Sequence, residues 1–501
     1  MNYADTARIK SVLQNCHRTY VETVDEADVV IFDTCSVRQK SEDKVTGKLL
    51  EIGKDKKVRI TGCMIQHNLR NTVVKRKTKG KVVKWLMGVG NFVGTVQTID
   101  PDVIGLSNIE LEEFRPKPGL EDNIVYINHA FNPMFHRINK SWENVELFFR
   151  IDDTGFLPLM MKKIWYEVSY DGELTNEYNS IIPTGAVNMS GAGNNKSAFI
   201  PISTGCNQFC AFCIVPYARG MEKHLSVDHI VAEAKHHIDN GIQEITLLGQ
   251  IVNKHPQFVE ILEKILALPG NLRRLRYTSP YPNRYSDALL SLHENEPRLC
   301  PHIHIPLQSG STAVLKKMFR GYNREQFMEF IDKIRALKRP ISITTDIIVG
   351  FCDETEEDFK DTLSLTEYAR PDMIYIGIYS TRPGTYADRK YEDNIDKKIK
   401  HDRRQRLNEL LKTISYDNNQ QEIGRETVAM ITTQKELPSG SIEWSGYTEN
   451  MKTIIVTSSK VLDISTPLMT STKQLTTPKI GEFVKVRIVG ADKFVLKGEV
   501  I

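Results

Sequence analysis

From residue 198 to about residue 380, short β-rich runs alternate with stretches whose apolar positions recur at helical spacing. The β-rich runs lie at 198–202, 244–248, 274–278, 302–307, 342–349 and 373–379, and the helical periodicity at 227–240, 256–268, 312–337 and 354–369. Repeats of this kind predict a parallel sheet curling toward a partial (β/α)6 barrel. In such barrels the reactive groups sit at the carboxyl ends of the strands. Polar clusters fall at those ends: Gln250 with Asn253, then Ser279, then Gln308-Ser309-Gly310-Ser311. Each of them reads equally well as an ordinary loop residue or as a cofactor contact.

Two further patterns flank this core. A charged helix is expected over 396–418, followed by five short β runs at 427–432, 441–447, 452–457, 483–489 and 494–500. Five strands over so short a stretch predict a small closed β-barrel of the OB type, a fold that often binds nucleic acid. The N-terminal part is a second α/β unit of doubly wound character. It carries a helix at 3–15, strands at 28–32 and 58–61, and a helix at 36–52 between them. The predicted organisation is therefore 1–93, an insert and linker at 94–197, the barrel at 198–423 and the small β-barrel at 424–501. Trp142, Phe148, Phe149, Leu157 and Trp165 make the insert too apolar for a disordered linker.

The chemistry is announced by Ser203-Thr-Gly-Cys-Asn-Gln-Phe-Cys-Ala-Phe-Cys213, directly after the first barrel strand. Cys206, Cys210 and Cys213 form a C-x3-C-x2-C triplet, which places three thiolates on one tight loop. Iron–sulfur cubes are normally closed by four thiolates, so a three-cysteine loop leaves one iron open for chemistry. A zinc knuckle is the other reading. Structural zinc takes four protein ligands, and the next candidate, His224, lies beyond Pro216 and Gly220. Cys35 and Cys63 each fall just past a predicted strand, on the rim where open α/β sheets bind ligands. Their shared placement suggests a second metal site rather than two core thiols. Cys16, Cys300 and Cys352 read as packing or loop thiols.

Composition changes the picture little. The chain has 501 residues, 40% hydrophobic and 26% charged, with a formal net charge of +3. Basic runs at 75–84 and 401–406 read as solvated faces that would also suit a nucleic-acid surface. No apolar run is long enough to span a bilayer and no signal-peptide pattern opens the chain. Eight cysteines, three of them in one cluster loop, fit a reducing cytoplasm.

The cysteine spacing resembles that of the radical S-adenosylmethionine (SAM) enzymes. Asp33-Thr-Cys-Ser-Val-Arg38 with Thr61-Gly-Cys-Met64 resembles the N-terminal domain of their methylthiotransferase branch. The barrel resembles that branch too, through Leu247-Leu-Gly-Gln-Ile-Val-Asn253, Thr278-Ser-Pro-Tyr-Pro282, Pro306-Leu-Gln-Ser-Gly-Ser311 and Thr345-Asp-Ile-Ile-Val-Gly-Phe351. The tail, with Lys479-Ile-Gly-Glu-Phe-Val and Leu496-Lys-Gly-Glu-Val500, resembles the tRNA-binding TRAM domain of that family. Cys35-Ser-Val-Arg38 is similar to the MiaB-type branch, which acts on isopentenyladenosine beside the tRNA anticodon.

The resemblance implies replacement of the adenine C2–H by a methylthio group through a 5'-deoxyadenosyl radical. It implies two [4Fe-4S] clusters, one on Cys206, Cys210 and Cys213 and an auxiliary one using Cys35 and Cys63. It also implies SAM as cofactor, with Gln250, Asn253, Ser279, Gln308 and Ser309 as candidate contacts. The expected partners are tRNA and an electron donor such as flavodoxin or ferredoxin, with the chain acting as a cytoplasmic monomer. The neighbouring readings are a threonylcarbamoyl-adenosine tRNA or a ribosomal protein as substrate, or a tRNA-binding, SAM-cleaving protein without sulfur insertion.

Three departures stand out. The family's first auxiliary cysteine lies in a G-C-Q-M-N motif, whereas this chain opens Met1-Asn2. The expectation is a truncated or misplaced start that leaves the auxiliary cluster one ligand short. The stretch 94–197 is longer than the family's usual link, and Cys352 stands where the family often has Pro.

Overall fold

The computed structural model describes residues 2–15, 21, 23–34, 47–48, 51–52, 56–62, 73–78, 81–86, 124–126, 145–148, 167–169, 196–438, 442–457 and 478–501. Helix α1 spans Asn2–Asn15 and is followed by parallel strands β1 (Val29–Thr34) and β2 (Lys57–Gly62). Strands β3 (Val73–Thr78) and β4 (Lys81–Leu86) form a hairpin, and β5 (Ile124–Tyr126) pairs with β7 (Glu167–Ser169). Strand β6 (Val145–Phe148) runs parallel to β2, so the N-terminal sheet has the order β1-β2-β6. It thus takes a strand from within the 94–197 stretch. The buried side chains of Val58 and Ile60 show why the central strand is apolar.

The barrel strands are β8 (Ser197–Pro201), β11 (Glu244–Leu248), β12 (Arg274–Tyr277), β13 (His302–His304), β14 (Ser342–Val349) and β15 (Met373–Ile378). They form two parallel three-stranded sheets, β12-β11-β8 and β13-β14-β15. A parallel bridge between Leu275 and Leu299 joins the halves. The result is the expected six-stranded partial barrel. Helices α3 (Val227–Asp239), α4 (Phe258–Leu266), α5 (Asp287–Asn295), α7 (Arg324–Arg335) and α8 (Glu356–Ala369) cover its convex face. Side chains of Ser226, Ser286, Asn323 and Thr355 cap the amino ends of four of them, satisfying amide groups that a helix start leaves orphaned. The core divides accordingly, with Ile200, Ile230, Ile245 and Ile261 in one half and Ile303, Phe327, Ile347 and Phe359 in the other.

One sequence expectation is corrected here. The single helix expected at 312–337 is two: a short α6 (Thr312–Lys317) and α7. Phe319 takes a left-handed φ of 59° between them, and Asn323 with Gln326 forms a capping box that starts α7 afresh. The break displays Arg320 on a turn instead of a helix face.

Beyond the short α9 (Tyr386–Lys390) and α10 (Lys397–Gln420), strands β16 (Glu426–Glu436), β17 (Ile442–Thr448), β18 (Thr453–Thr457), β19 (Phe483–Ala491) and β20 (Leu496–Val500) close a barrel in the order β16-β17-β18-β20-β19. Its core is Ala429, Ile431, Trp444, Ile454, Val456, Val486, Ile488 and Leu496. Gly446 is required there, because a Cβ would sit 1.9 Å from the Met430 carbonyl oxygen.

This small barrel docks at the amino ends of the parallel strands. Glu244, which opens β11, accepts from Tyr447 Oη at 2.7 Å and faces Arg274 at 3.4 Å and Arg276 at 3.3 Å. Arg276 in turn donates to the carbonyls of Glu449 at 2.8 Å and Thr448 at 3.1 Å. At the same end Lys452 of the small barrel is ion-paired with Asp372, just before β15. On another side, α1 is tied to the barrel by two buried pairs, Arg8–Glu233 at 3.1 Å and Arg219–Asp5 at 2.7 Å. The basic run at 401–406 belongs to α10, where Arg403 reaches Glu354 and Arg406 reaches Glu356, so two of its charges are spent inside the protein.

Candidate active site

The cysteine loop leaves β8 at the carboxyl rim and is pinched shut at its base. Strand β9 (Ser203–Thr204) pairs antiparallel with β10 (Lys223–His224). At the crossing, Gly205 has φ 72°, and a Cβ there would lie 2.1 Å from the Met221 carbonyl oxygen. Only glycine lets the two strands of the loop approach so closely. Cys206 N–H donates to the Gly220 carbonyl at 3.0 Å, and Cys213 N–H to the Cys210 carbonyl at 2.9 Å. Helix α2 (Val215–Arg219) then begins with Pro216 in its first turn, where its missing N–H costs nothing.

All three thiols are free. Cys206 and Cys210 are buried, and burial beside the other two thiols pushes Cys213 up to about 12. Burial likewise raises Cys206, with an opposing pull from the Gln208 N–H. Thiolates at Cys206 and Cys213 therefore call for a positive partner. Donors already point at two of the sulfurs: Gln208 N–H at 3.4 Å from Cys206 Sγ, and Arg320 Nη1 at 3.3 Å from Cys210 Sγ. Three thiols on one loop, near enough for Cys206 and Cys210 to act electrostatically on Cys213, suit a cube with one cysteine per iron. The donor set fits the cluster.

The surroundings of Arg320 were not legible as a site from the sequence. Its guanidinium carbon lies 4.8 Å from the Tyr281 ring centroid and 5.1 Å from that of Tyr322. Nε donates to Tyr322 Oη at 3.1 Å, and Tyr281 Oη accepts from Gly321 N–H at 2.7 Å and Gln208 Nε2 at 3.2 Å. Two aromatic residues and the helix break thus fix one cation against the loop. The signal lay in Phe319-Arg-Gly-Tyr-Asn323, a turn sequence inside a helical pattern.

The five candidate cofactor contacts separate. Asn253 spends both ends of its amide on Tyr281, donating to the carbonyl at 3.0 Å and accepting from the N–H at 2.8 Å. Ser309 is fully buried, 3.3 Å from Thr362 Oγ1, and accepts from Ser311 N–H at 3.2 Å. These two shape the rim. Gln250 is partly buried just past β11. Ser279 and Gln308 follow β12 and β13 with left-handed φ values of 54° and 70°. Such backbone is uncommon for residues with a side chain and clusters at functional rims.

Cys35 and Cys63 lie outside the described residues, as do Cys16 and most of the expected helix at 36–52, of which the described residues 47, 48 and 51 are helical. The residues just before the first two, Thr34 and Gly62, are register partners at the carboxyl ends of β1 and β2. Nearby, burial and the Asp5 carboxylate push Asp33 up to about 8 against the pull of Arg219. Cys300 and Cys352 are buried, as expected of packing thiols.

The sequence profile of the Radical SAM superfamily matches residues 200–366, and that of the uncharacterized protein family UPF0004 matches residues 1–84. The tRNA-2-methylthio-N(6)-dimethylallyladenosine synthase of Dictyoglomus thermophilum is 30% identical over 513 residues, covering 100% of this chain and 96% of that protein. Its namesake from Clostridium botulinum (strain Hall) is 32% identical over 515 residues, covering 100% and 95%. Among solved structures, the radical SAM methyltransferase TsrM from Kitasatospora setae, with tryptophan and a SAM analogue bound, aligns with a TM-score of 0.42 and 13% identity over 87% of this chain and 76% of that one. With full-length relatives at this identity and a cysteine loop of this geometry, the chain belongs to the radical SAM methylthiotransferase family, among the tRNA-2-methylthio-N(6)-dimethylallyladenosine synthases.

Proposed function

We propose that this protein replaces the C2–H of N6-isopentenyladenosine, next to the tRNA anticodon, by a methylthio group. The observation that carries the reading is the closed three-cysteine loop at the carboxyl rim of a parallel partial barrel, with N–H donors aimed at two of its sulfurs. A [4Fe-4S] cluster held by Cys206, Cys210 and Cys213 supplies, with SAM, the one-electron chemistry that opens an unactivated C–H bond.

The chain's own residues do the rest. Arg320 and Gln208 brace the sulfurs, the Asn253 amide fixes the Tyr281 segment, and Gln250, Ser279 and Gln308 present polar groups on the rim for SAM. Cys35 and Cys63 would hold the auxiliary cluster that handles sulfur. The five-stranded barrel, with Lys435, Lys493 and Lys497 exposed, is the RNA-facing module, and its charges act on phosphates rather than on bases. A soluble one-electron donor of the flavodoxin or ferredoxin type would feed the cluster.

Mass spectrometry of tRNA nucleosides from a strain lacking the gene, and from the same strain complemented with it, tests the reading. The methylthio-isopentenyladenosine peak should vanish and return, leaving isopentenyladenosine behind in the deletion. An unchanged peak sinks the substrate assignment.

A further inference from the structure

The concave face of the sheet carries a polar column that the cysteine loop does not use. Ile303, Ile305, Ile347 and Ile374 pack with Phe327, Phe330 and Leu365 of the helical layer. By strand alternation, His302, His304, Thr344, Asp346 and Tyr375 face the opposite side. The register places His302 opposite Ser342, His304 opposite Thr344, and Asp346 opposite Tyr375.

Thr344 Oγ1 lies 2.9 Å from both His302 Nε2 and His304 Nδ1, and His304 Nε2 lies 3.2 Å from Asp346 Oδ2. Burial, with Arg276 adding to it, holds the pKa of His302 well below its usual value, so that ring is neutral. A carboxylate can only accept, so His304 Nε2 donates to Asp346 whichever tautomer His302 takes. The lower end of the column abuts Arg276, whose guanidinium is taken by carbonyls of the small barrel.

The other end of the column is not closed. Asp346 has one carboxylate oxygen engaged by His304 and keeps 35% of its side chain exposed. Its register partner Tyr375 leaves 49% of its surface open, with its ring edge-on to His304 at 5.7 Å. Asp346 lies three residues short of the end of β14, roughly 10 Å below the rim at the usual rise per residue. A lumen-facing aromatic ring beside an acceptor-only carboxylate is what reading an unstacked base requires.

We propose that Asp346 and Tyr375 form the base-reading subsite for the substrate adenine. Tyr375 stacks on the purine and Asp346 accepts a hydrogen bond from its N6–H, with His304 positioning the carboxylate. The assignment rests on the proposed tRNA substrate. A carboxylate selects bases that carry an amino group, and isopentenylated N6 retains one N–H. The same acceptor repels a carbonyl or ether oxygen at that position.

The test uses the full chain with its clusters reconstituted and two anticodon stem-loops. One carries N6-isopentenyladenosine; the other carries its O6-isopentenyl-inosine isostere, which lacks the N–H. Parent protein should bind and turn over the first about tenfold better or more, the scale of one charged hydrogen bond. Asp346→Ala should bring that ratio close to one. Tyr375→Ala should weaken both RNAs alike, and Tyr375→Phe should restore them. Circular dichroism confirms that each variant is folded.

A parent that modifies tRNA yet treats the two loops equally, or an Asp346→Ala variant that keeps the preference, overturns the subsite alone. A parent that acts on neither RNA overturns the subsite together with the tRNA reading.

Discussion

Arg320 donates to the sulfur of Cys210 at 3.3 Å while packed against the rings of Tyr281 and Tyr322. Hydrogen bonds to ligating sulfur raise the reduction potential of an iron–sulfur cluster by stabilising the more negative state. Replacing Arg320 by Met should therefore lower the midpoint potential of the cluster on this loop. A drop of about 59 mV corresponds to a tenfold change in the one-electron equilibrium. Electron paramagnetic resonance during a redox titration reads this directly, and Arg320→Lys should recover only part of it. An unshifted potential would make the residue a packing element.

The separation between cysteine loop and small barrel leads to a second expectation. They occupy opposite ends of the parallel strands, so Cys210→Ala should abolish SAM cleavage and leave tRNA affinity close to that of the parent. Filter binding at constant salt measures the affinity. Loss of both together would mean that the cluster is needed for folding.

The junction at Glu244 gives a stability prediction with a defined pH dependence. Burial pushes its carboxyl up, but Arg276, Arg274 and the Tyr447 hydroxyl pull harder, and the net pKa is lowered. A lowered folded pKa contributes stability that is present above the unfolded value, about 4.3, and is lost as pH falls through the folded one. Glu244→Gln leaves two buried guanidinium groups without their anion and should cost about 3–5 kcal/mol. Urea unfolding at pH 7 and at pH 3.5 checks both parts, since the variant should lack this share of the acid destabilisation.

RNA binding by the small barrel is best tested by charge, because truncating the chain after Arg425 would uncover Glu244, Arg274 and Arg276. Lys435→Ala with Lys497→Ala should reduce the slope of log affinity against log salt by about 0.7–0.9 for each phosphate that is no longer neutralised. An unchanged slope would move the RNA surface elsewhere, with the hairpin β3–β4 next to be tested.

Much of this is legible in the sequence because it is local. The cysteine triplet is read from spacing alone, and Glu244–Leu248 and Ser342–Val349 fall where their β-branched runs place them. The closed small barrel follows from five evenly spaced runs. What stays hidden depends on contacts between distant residues. Glu244 and Tyr447 meet across 203 positions, and no periodicity marks either. Arg320 is concealed inside an apolar pattern that continues at helical spacing, although Gly321 and Asn323 break the helix there. The polar column of His304 and Asp346 reads as ordinary strand, since alternation tells which residues share a face but not what that face meets.

The most direct test of the central claim is one reaction with two products measured together. Reconstituted protein, reductant, SAM and tRNA carrying isopentenyladenosine should yield 5'-deoxyadenosine and 2-methylthio-isopentenyladenosine, and both should disappear in the Cys206/Cys210/Cys213→Ala variant. Formation of 5'-deoxyadenosine with no methylthio nucleoside would contradict the account, leaving a radical enzyme that does not transfer sulfur to this base.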